Sequence, residues 1–417
     1  MKEYWHSVAL EKEKCNGCTI CLRRCPTEAI RIRDGKAKII KERCIDCGEC
    51  IKVCPYHAKK AFAHDLKSIE KYEFKIALVS LPLYGQFELD NDINRIFNCF
   101  YELGFDKVYD VAYGADVLTT LQSDILKKSK RKPLIATLCP AIIRLIQIRF
   151  PSLIDHIIPI ESPMEITARL AKKEVSQEHC LDFNKIGAFY ITQCPAKITS
   201  IKKPIGIKES YVDGAIPIKS IYTKLLKIYK DVKKNDKIQK ASGKGIGWAR
   251  VGGQSFALGL DNYLAVDGIE NVIKVLEEIE LGKLNNIDFF EGYACVTGCV
   301  GGPLNVENPF IARNRIRQLS KCYGDKSLEK SEVDEILKTI QVKWTEKIEP
   351  LGILKLDSDI EKAIKKMELL DKINKKLPGI DCGSCGSPNC HAMAEDVVRG
   401  TATLEDCIIM LKKKVDK

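Results

Sequence analysis

Several features that are common in proteins are missing from this chain of 417 residues. No apolar run approaches the roughly 20 residues that a membrane helix needs, and the N-terminal segment is too short and too mixed for a signal peptide. Aromatic residues make up only 7%, and no stripe of arginines and aromatics accompanies the scattered lysines, so the formal net charge of +11 does not indicate nucleic-acid binding. These absences predict a cytoplasmic protein whose partners include neither a membrane nor a nucleic acid.

Cysteine, in contrast, is abundant, with 19 residues in the chain. In the reducing cytoplasm, clustered cysteines indicate metal or redox chemistry rather than disulfides. Hydrophobic residues at 45% are sufficient for a sizeable core, and the chain length is typical of two to four domains. The spacing of the cysteines is therefore the most informative feature of the sequence.

Two cysteine runs near the N-terminus have the same spacing, C-x2-C-x2-C-x3-C-P. In runs of this kind the fourth cysteine ligates the cluster of the other run. The first predicted [4Fe–4S] cluster has the ligands Cys15, Cys18, Cys21 and Cys54, and the second has the ligands Cys25, Cys44, Cys47 and Cys50. Short strands are predicted at residues 29–33 and 36–40, between the runs. This module resembles bacterial two-cluster ferredoxins; zinc is the alternative, but it has no use for eight cysteines in this register.

Between residues 71 and 350, apolar runs with the character of strands alternate with amphipathic helical stretches. The predicted strands include residues 74–83, 133–138 and 185–191, and the predicted helices include residues 92–103, 142–150 and 271–280. Strands that alternate with helices imply an α/β architecture with a largely parallel sheet.

Four further cysteines stand at the ends of predicted strands or loops in this middle region: Cys139, Cys194, Cys295 and Cys299. A buried cysteine is often only a small apolar side chain. However, single cysteines at the ends of separate strands can converge in space, and a C-x3-C pair in a glycine-rich loop can complete a site of four thiolates.

The segments around these four cysteines resemble the catalytic domain of the [FeFe]-hydrogenases. The family motifs TSCCP, MPCxxKxxE and ExMACxxGCxxGG correspond to residues 137–140, 192–200 and 291–302. The resemblance implies a [4Fe–4S] cubane on the four cysteines, with Cys299 bridging to a two-iron subsite that carries CO and cyanide. It also implies that Lys197 hydrogen-bonds a cyanide, a role that suits a cation facing a metal-bound anion.

The sequence departs from this family along the proton path. Leu138 occupies the position of the proton-delivering cysteine and has no transferable proton, and losing such a group typically costs about 10²–10⁴ in rate. Other family residues are replaced by Ser200, Leu121, Gln122 and Met164, and two methionines are replaced by Thr192 and Tyr293. This pattern, in which the metal ligands are kept and the relay is lost, resembles the sensory branch of the family. Tyr293 and Thr192 are the candidate hydroxyls for a rerouted path.

A third cysteine group follows an amphipathic helix predicted at residues 357–375. Its spacing, C-x2-C-x4-C-x16-C, resembles a small [4Fe–4S] domain, with zinc as the alternative. Its ligands are Cys382, Cys385, Cys390 and Cys407. His391 is then a neighbour of the site rather than a ligand. Cys99 is predicted to pack in the core, and Cys180 and Cys322 have no partner pattern.

These observations predict three domains: an α+β two-cluster ferredoxin-like domain at residues 1–70, a two-lobed α/β hydrogenase-like domain at 71–350, and a small helical [4Fe–4S] domain at 351–417. The expected cofactors are four [4Fe–4S] clusters and the two-iron subsite. The expected function is H2 oxidation and proton reduction at low turnover, or sensing of H2 or redox state. The expected partners are H2, protons, a ferredoxin or another redox protein, and a signalling protein, because the chain has no recognisable output module.

Two alternatives remain open at this point. The first is an electron-transfer protein whose central site holds only a plain [4Fe–4S] cubane. The second, an assembly scaffold for clusters, requires labile and exposed ligands, whereas these ligands look buried and four of them are followed by proline.

Overall fold

The structure is a computed structural model that describes residues 5–88, 92–233, 235–326 and 328–415. Within these ranges, no helix combines the length and the apolar character needed to cross a membrane.

The N-terminal module consists of two short helices and two small antiparallel sheets. Its elements in chain order are β1 (Val8–Leu10), α1 (Ile20–Arg23), β2 (Ile30–Arg33), β3 (Lys36–Ile39), α2 (Glu49–Lys52) and β4 (Lys59–Ala61). Strand β1 pairs with β4, and β2 pairs with β3 across the turn at Asp34 and Gly35, as predicted. Each short helix carries the third cysteine of its run, so the duplication in the sequence is also a duplication in structure.

A four-stranded parallel sheet in the order β6-β5-β8-β9 forms the first lobe of the middle region. From residue 74 to residue 231, the strands and helices of the two lobes follow in chain order: β5 (Phe74–Val79), α3 (Ile93–Glu102), β6 (Lys107–Asp110), α4 (Val111–Lys128), β7 (Leu134–Ile135, in the second lobe), α5 (Pro140–Arg149), α6 (Pro163–His179), β8 (Ile186–Thr192), α7 (Pro195–Lys202), β9 (Gly214–Pro217) and α8 (Ile218–Asp231). The predicted strand at 74–83 is too long, because the chain turns into a 3₁₀ helix at Leu81–Gln86, where Pro82 favours the turn.

A three-stranded parallel sheet in the order β10-β11-β7 forms the second lobe. The remaining elements of the middle region are α9 (Gly243–Gly247), α10 (Gly253–Leu258), β10 (Tyr263–Asp267), α11 (Ile269–Glu280), β11 (Phe289–Tyr293), α12 (Pro309–Cys322) and α13 (Lys330–Thr339). The predicted two-lobed α/β architecture is therefore confirmed.

The C-terminal module is helical, as predicted, and comprises α14 (Ile360–Lys376), α15 (Cys390–Val398) and α16 (Ile408–Val415). Separate groups of buried apolar side chains lie in the two end modules and around each sheet of the middle region. The N-terminal module is not independent, because Ile45 and Cys47 pack into the core around the second sheet. The boundaries near residues 70 and 350 stay predictions.

Candidate metal centres

The eight cysteines of the N-terminal module line two cavities. One cavity is lined by Cys15, Cys18, Cys21 and Cys54, and the other is lined by Cys25, Cys44, Cys47 and Cys50. The structure thus brings together the two crossed sets that the spacing predicts. We call these the first and the second N-terminal cavity.

Backbone amides point at several of these sulfurs. The amide of Ala29 donates to Cys25 Sγ at 3.2 Å, and the amide of Ala58 donates to Cys54 Sγ at 3.3 Å. Hydrogen bonds of this kind stabilise a thiolate and raise the reduction potential of a bound cluster.

The chemistry of these cysteines fits a metal cluster. None of the 19 cysteines, all of which lie in the described ranges, forms a disulfide. Burial raises the pKa of the Cys44 and Cys47 thiols well above the usual value, and the neighbouring Asp46 and Cys25 add to the effect. A thiolate in such surroundings needs a positive charge beside it, which a cluster's iron supplies.

In the middle region, the four candidate ligands come from three segments of the chain, which are the starts of α5 and α7 and the loop after β11. Cys139 and Cys194 are the N-terminal caps of α5 and α7, and Pro140 and Pro195 begin those helices. Cys295 follows β11, and Cys299 begins a 3₁₀ turn that ends at Gly301. A helix N-terminus favours negative charge, so the positions of Cys139 and Cys194 suit thiolate ligands.

These four thiols lie close enough to influence each other's ionisation. Burial is the main cause of the raised pKa of the Cys194 thiol, and the neighbouring Cys295, Cys139 and Cys299 raise this pKa further. The amide of Lys197 points at the sulfur of Cys194 and has the opposite effect on this pKa. The resulting arrangement can hold one cubane.

Lys197 lies in the first turn of α7, and only 3% of the residue is exposed. Burial raises the pKa of the Cys299 thiol to about 12, while the Lys197 ammonium lowers it. The side chain of Gln193 also hydrogen-bonds Cys299. A buried cation and an amide beside Cys299 suit a metal group with anionic acceptor atoms.

The second N-terminal cavity lies directly beside this central site. Burial lowers the pKa of Lys52, but the neighbouring Cys295 and Glu49 raise it by more, because the ammonium hydrogen-bonds the sulfur of Cys295. A Cβ atom added to Gly48, between two cluster cysteines, would lie 2.4 Å from Cγ of Pro303 and 3.2 Å from Cγ of Pro195.

Asp46 ties the two modules together at the same place. Its carboxylate accepts hydrogen bonds from the amide of Ser7 at 3.0 Å, the amide of Val8 at 3.1 Å and the hydroxyl of Thr199 at 2.8 Å. Because Thr199 belongs to α7, which starts beside Cys194, this network fixes the N-terminal module against the central ligands.

The residues at the altered proton-path positions fall into two groups. Leu138 is buried in the apolar core, Ser200 donates to the carbonyl of Ala196 in its own helix, and the hydroxyl of Thr192 bonds both the amide and the carbonyl of Cys194. Tyr293, in contrast, belongs to a polar network. Its hydroxyl donates to Glu291 Oε1 at 2.9 Å and accepts from Gln254 at 3.1 Å.

Two buried acids beside Lys197 were missed at the level of sequence. Glu165 is near Lys197 and accepts from the hydroxyl of Ser210 at 2.6 Å, and burial raises its pKa. Burial raises the pKa of Glu161 to about 7, although Arg169 donates to both of its oxygens and lowers it. The sequence signal for these two acids was a pair of glutamates around Ser162-Pro163 at the start of α6. Acids at a helix start are usually solvated, so the pair did not indicate a buried site.

In the C-terminal module, Cys382, Cys385, Cys390 and Cys407 line a cavity of about 220 Å³. The hydroxyl and amide of Ser384 lower the pKa of the Cys382 thiol. His391 lines a different cavity, and Cys99 is buried on α3, in line with the predictions for both residues.

Buried ion pairs join the C-terminal module to the N-terminal module. Asp396 on α15 accepts from Arg31 Nε at 2.6 Å and from Arg33 Nη2 at 2.8 Å, and Glu395 pairs with Arg43. The backbone of Ile32 also donates to the carbonyl of Gly386 at 2.8 Å. Sequence reasoning did not find this contact, because its partners lie more than 350 residues apart.

Family models match all three parts of the chain. The model for the C-terminal domain of the iron-only hydrogenase large subunit matches residues 77–259 and 218–303. The model for a 4Fe-4S dicluster domain matches residues 14–58, and a model for an Fe-S cluster matches residues 377–409.

Two curated proteins are similar to parts of the chain. Iron hydrogenase 1 of Clostridium pasteurianum is 23% identical over 145 residues, which are 33% of this chain and 25% of that protein. An uncharacterized protein of Methanocaldococcus jannaschii is 39% identical over 49 residues, which are 12% of this chain and 22% of that protein. The chain therefore spans about a quarter of the length of these relatives.

Solved structures of [FeFe]-hydrogenases resemble the fold. One, from a study of oxygen inactivation, has a TM-score of 0.52 at 14% identity and covers 69% of this chain and 94% of that chain. Another, a variant of the Chlamydomonas reinhardtii enzyme, has a TM-score of 0.50 at 15% identity, with 69% and 94% covered. At such identities the likeness concerns the fold alone.

Proposed function

The chain belongs to the family of the iron-only hydrogenase large subunit, and from this premise we propose that it is an iron–sulfur oxidoreductase that exchanges electrons with H2 and protons at its central site. Turnover is low, and the protein reports H2 or redox state to a partner. Electrons reach the central site through [4Fe–4S] clusters in the two end modules.

One observation carries this proposal. Lys197 is buried with its ammonium beside Cys299, at the one corner of the cysteine site where the resemblance places the two-iron subsite. A plain cubane does not require a buried cation at that corner of the site. Lys197 and Gln193 therefore suit a group whose cyanide ligands accept hydrogen bonds.

The two-iron subsite, when bound, supplies the redox chemistry of H2. Cys299 would hold it to the cubane, and Lys197 would orient it. The function of Leu138 at the former donor position is only steric, since its side chain is buried among apolar residues and carries no proton. Low turnover follows from that loss.

A second route for protons starts at Tyr293. Its hydroxyl lies 2.9 Å from Glu291, which is fully buried and has a raised pKa because of that burial, and Ser255 donates to the same carboxylate at 2.6 Å. We assign this pair the proton transfer that Leu138 cannot perform. Thr192 holds the backbone of Cys194 in place and does not transfer a proton, because its hydroxyl already bonds the amide and the carbonyl of Cys194.

The alternative function is electron transfer with a plain cubane at the central site. The observation that favours it is the coordinated loss of the relay, since the hydroxyls of Ser200 and Thr192 are both bonded to nearby backbone. In that case Lys197 and Glu165 would form a buried charge pair of purely structural importance. A cytoplasmic location and a signalling partner complete the proposal in either case.

Infrared spectroscopy tests the two functions directly. The protein is purified anaerobically and supplied with the complete two-iron cofactor, beside a Cys299→Ser control. Sharp bands of iron-bound CO and cyanide that are absent in the control are expected. No such bands, with iron at the level of four cubanes, would leave the electron-transfer function.

A further inference from the structure

The two duplicated halves of the N-terminal module differ at one buried position beside the cysteine cavities. The offset that relates Cys25 to Cys54 also relates Ile30 to Lys59. In both halves the alanine just before this position donates its amide to the cysteine sulfur, so the two backbones match here. Ile30 is 2% exposed and Lys59 is 3% exposed. One half therefore buries an ammonium group where the other half buries an apolar side chain.

The side chain of Lys59 points from β4 into the first N-terminal cavity. Its Nζ atom is buried and has no hydrogen-bond partner among the described residues. Lys60, the next residue on the strand, points outward and pairs with Glu11 at the surface, as the alternation of side chains along a strand requires. A buried ammonium needs acceptors for its three donors. The negatively charged thiolates and sulfides of a cluster in this cavity fit that requirement.

The second N-terminal cavity is lined by charge of the opposite sign. Among the described residues, Lys59 is the only charged residue that lines the first cavity, whereas Asp46 and Glu49 line the second. The same offset relates Gly17 to Asp46 and Ile20 to Glu49, so neither acid has a counterpart at the first cavity. The differences between the two halves thus place a positive charge at the first cavity and negative charge at the second.

Ion pairs offset some of the charges around these cavities but leave two of them. Glu49 pairs with Lys52 at 3.2 Å, and the buried Arg43 pairs with Glu395. Asp46 is only 1% exposed, and within the described ranges it forms no ion pair; the hydrogen bonds that it accepts come from neutral groups such as backbone amides and a hydroxyl. A buried anion at the second cavity therefore stands against the buried cation at the first.

The two cavities also differ in the balance of charge and burial at their thiols. Burial raises the pKa of Cys21 in the first cavity, and the Lys59 ammonium lowers it. Burial raises the pKa of Cys50 in the second cavity, and there the lowering by Lys59 is opposed by Asp46. Cys18 of the first cavity is exposed, whereas three of the four cysteines that line the second cavity are buried and none is exposed. The first cavity combines a cation with access to solvent, and the second combines an anion with burial.

We propose that Lys59 makes the cluster of the first N-terminal cavity the higher-potential member of the N-terminal pair, so that this pair favours electron flow away from the central site. A reduced cluster is more negative than an oxidised one, so a nearby cation and solvent favour reduction, and a nearby anion and burial oppose it.

The position of the second N-terminal cavity gives this order a direction. That cavity lies beside the central site, where Lys52 reaches Cys295, so its cluster receives an electron from the central site first. In the next step the second cluster loses this electron and the first cluster gains it, with no bond made or broken. The first cluster therefore collects the electrons of H2 oxidation. The inference rests on the proposed function only in that the clusters carry electrons.

Redox titration of the anaerobic holoprotein, followed by electron paramagnetic resonance, tests this order. Two reduced clusters in one small module split each other's resonances, so an unsplit signal marks reduction of one member of the pair and a split signal marks reduction of both. Lys59→Ile copies the residue of the other half. It should lower the equilibrium constant of the upper one-electron step by about tenfold, or about 59 mV. The lower step should change much less, so the two steps should approach each other.

Lys60→Met is the matched control, because it removes an exposed lysine from the outer face of the same strand, and it should leave both steps unchanged. Lys59→Met keeps most of the side-chain length and should reproduce the shift of Lys59→Ile; it decides the question if the isoleucine variant does not load its iron. If the two steps move apart, the ammonium acts on the lower-potential cluster and the proposal is overturned. Two unchanged steps overturn it as well. Chemical mediators set the potential, so neither result depends on whether the central site reacts with H2.

Discussion

At the scale of single residues, two lysine side chains each lie beside one cysteine of the central site. Lys197 acts on Cys299, and Lys52 acts on Cys295 from the N-terminal module. Both ammonium groups favour the reduced, more negative state of a cluster at this site. Lys197 was evident from the motif, whereas Lys52 lies more than 240 residues from its partner in sequence and could be found only in the folded chain.

Replacing Lys52 by methionine should lower the reduction potential of the central cluster. The variant keeps most of the side-chain length but removes the positive charge beside Cys295, so adding an electron becomes less favourable. We expect a shift on the order of 50 mV, kept small by solvent near α2. Redox titration followed by electron paramagnetic resonance measures it, with the remote, exposed Lys128→Met as control. An unchanged potential would show that the Lys52 charge is fully screened.

Introducing a thiol at the former donor position tests whether proton delivery limits turnover. Leu138→Cys places a transferable proton next to Cys139, and H2 evolution should increase by about tenfold or more. The measurement is gas chromatography on protein loaded with the complete cofactor, with Leu138→Ala as the control for the change in volume. If the cysteine variant is as slow as the parent, the missing donor is not the bottleneck.

At the scale of elements, the junction between the second N-terminal cavity and the central site depends on close backbone approach. Gly48 has a φ of +79° and faces the rigid rings of Pro303 and Pro195. Gly35 has a similar φ of +67°, but nothing lies within 4 Å of the position of its Cβ. The two glycines share one backbone requirement and differ in their surroundings.

This pair allows a matched test of the junction. Gly48→Ala and Gly35→Ala both incur the strain of a positive φ, on the order of 1 kcal/mol, but only the first must also push two prolines apart. We expect Gly48→Ala to slow electron transfer from the N-terminal clusters to the central site several-fold, and Gly35→Ala to leave it unchanged. Freeze-quench spectroscopy after rapid reduction follows the central cluster. Equal rates in the two variants would mean that electron transfer is not sensitive to a small increase in the distance between the N-terminal module and the central site.

At the scale of the whole molecule, the C-terminal module folds back onto the N-terminal module, so the two ends of the chain are neighbours. The side chains of Asp396 and Arg31 are each only 6% exposed, and Arg33 joins the same carboxylate. Removing one partner of a buried ion pair typically costs about 3–5 kcal/mol, because the other charge is left unpaired. The placement of the C-terminal cysteine cavity therefore depends on this contact.

Asp396→Asn should release the C-terminal module while the rest of the protein stays folded. The buried Arg31 and the partly exposed Arg33 lose their carboxylate, and the largely exposed link between α13 and α14 becomes more mobile. Limited proteolysis with mass spectrometry should detect faster cleavage near residues 345–358 than in the parent. The exposed Asp371→Asn serves as control. Cleavage at the parental rate would indicate that the backbone contact of Ile32 with Gly386 is enough to hold the module.

The sequence determined the parts of the protein that depend on short-range spacing. A C-x2-C-x2-C-x3-C run forms one tight loop whatever follows it, so the crossed ligand sets of the N-terminal module could be assigned before folding, as could the set ending at Cys407. Helices and strands followed from periodicity, with errors at their ends, such as the strand that stops at Val79 because Pro82 starts a turn.

Only the tertiary structure decided how these local units meet. The contacts of Lys52 with Cys295, of Asp46 with Thr199, of Arg31 with Asp396 and of Tyr293 with Glu291 depend on packing or side-chain direction, and spacing carries no information about either. The contact of the second N-terminal cavity with the central site and the contact of the C-terminal module with the N-terminal module are properties of the folded chain, because they depend on buried and charged side chains at the junctions rather than on any motif.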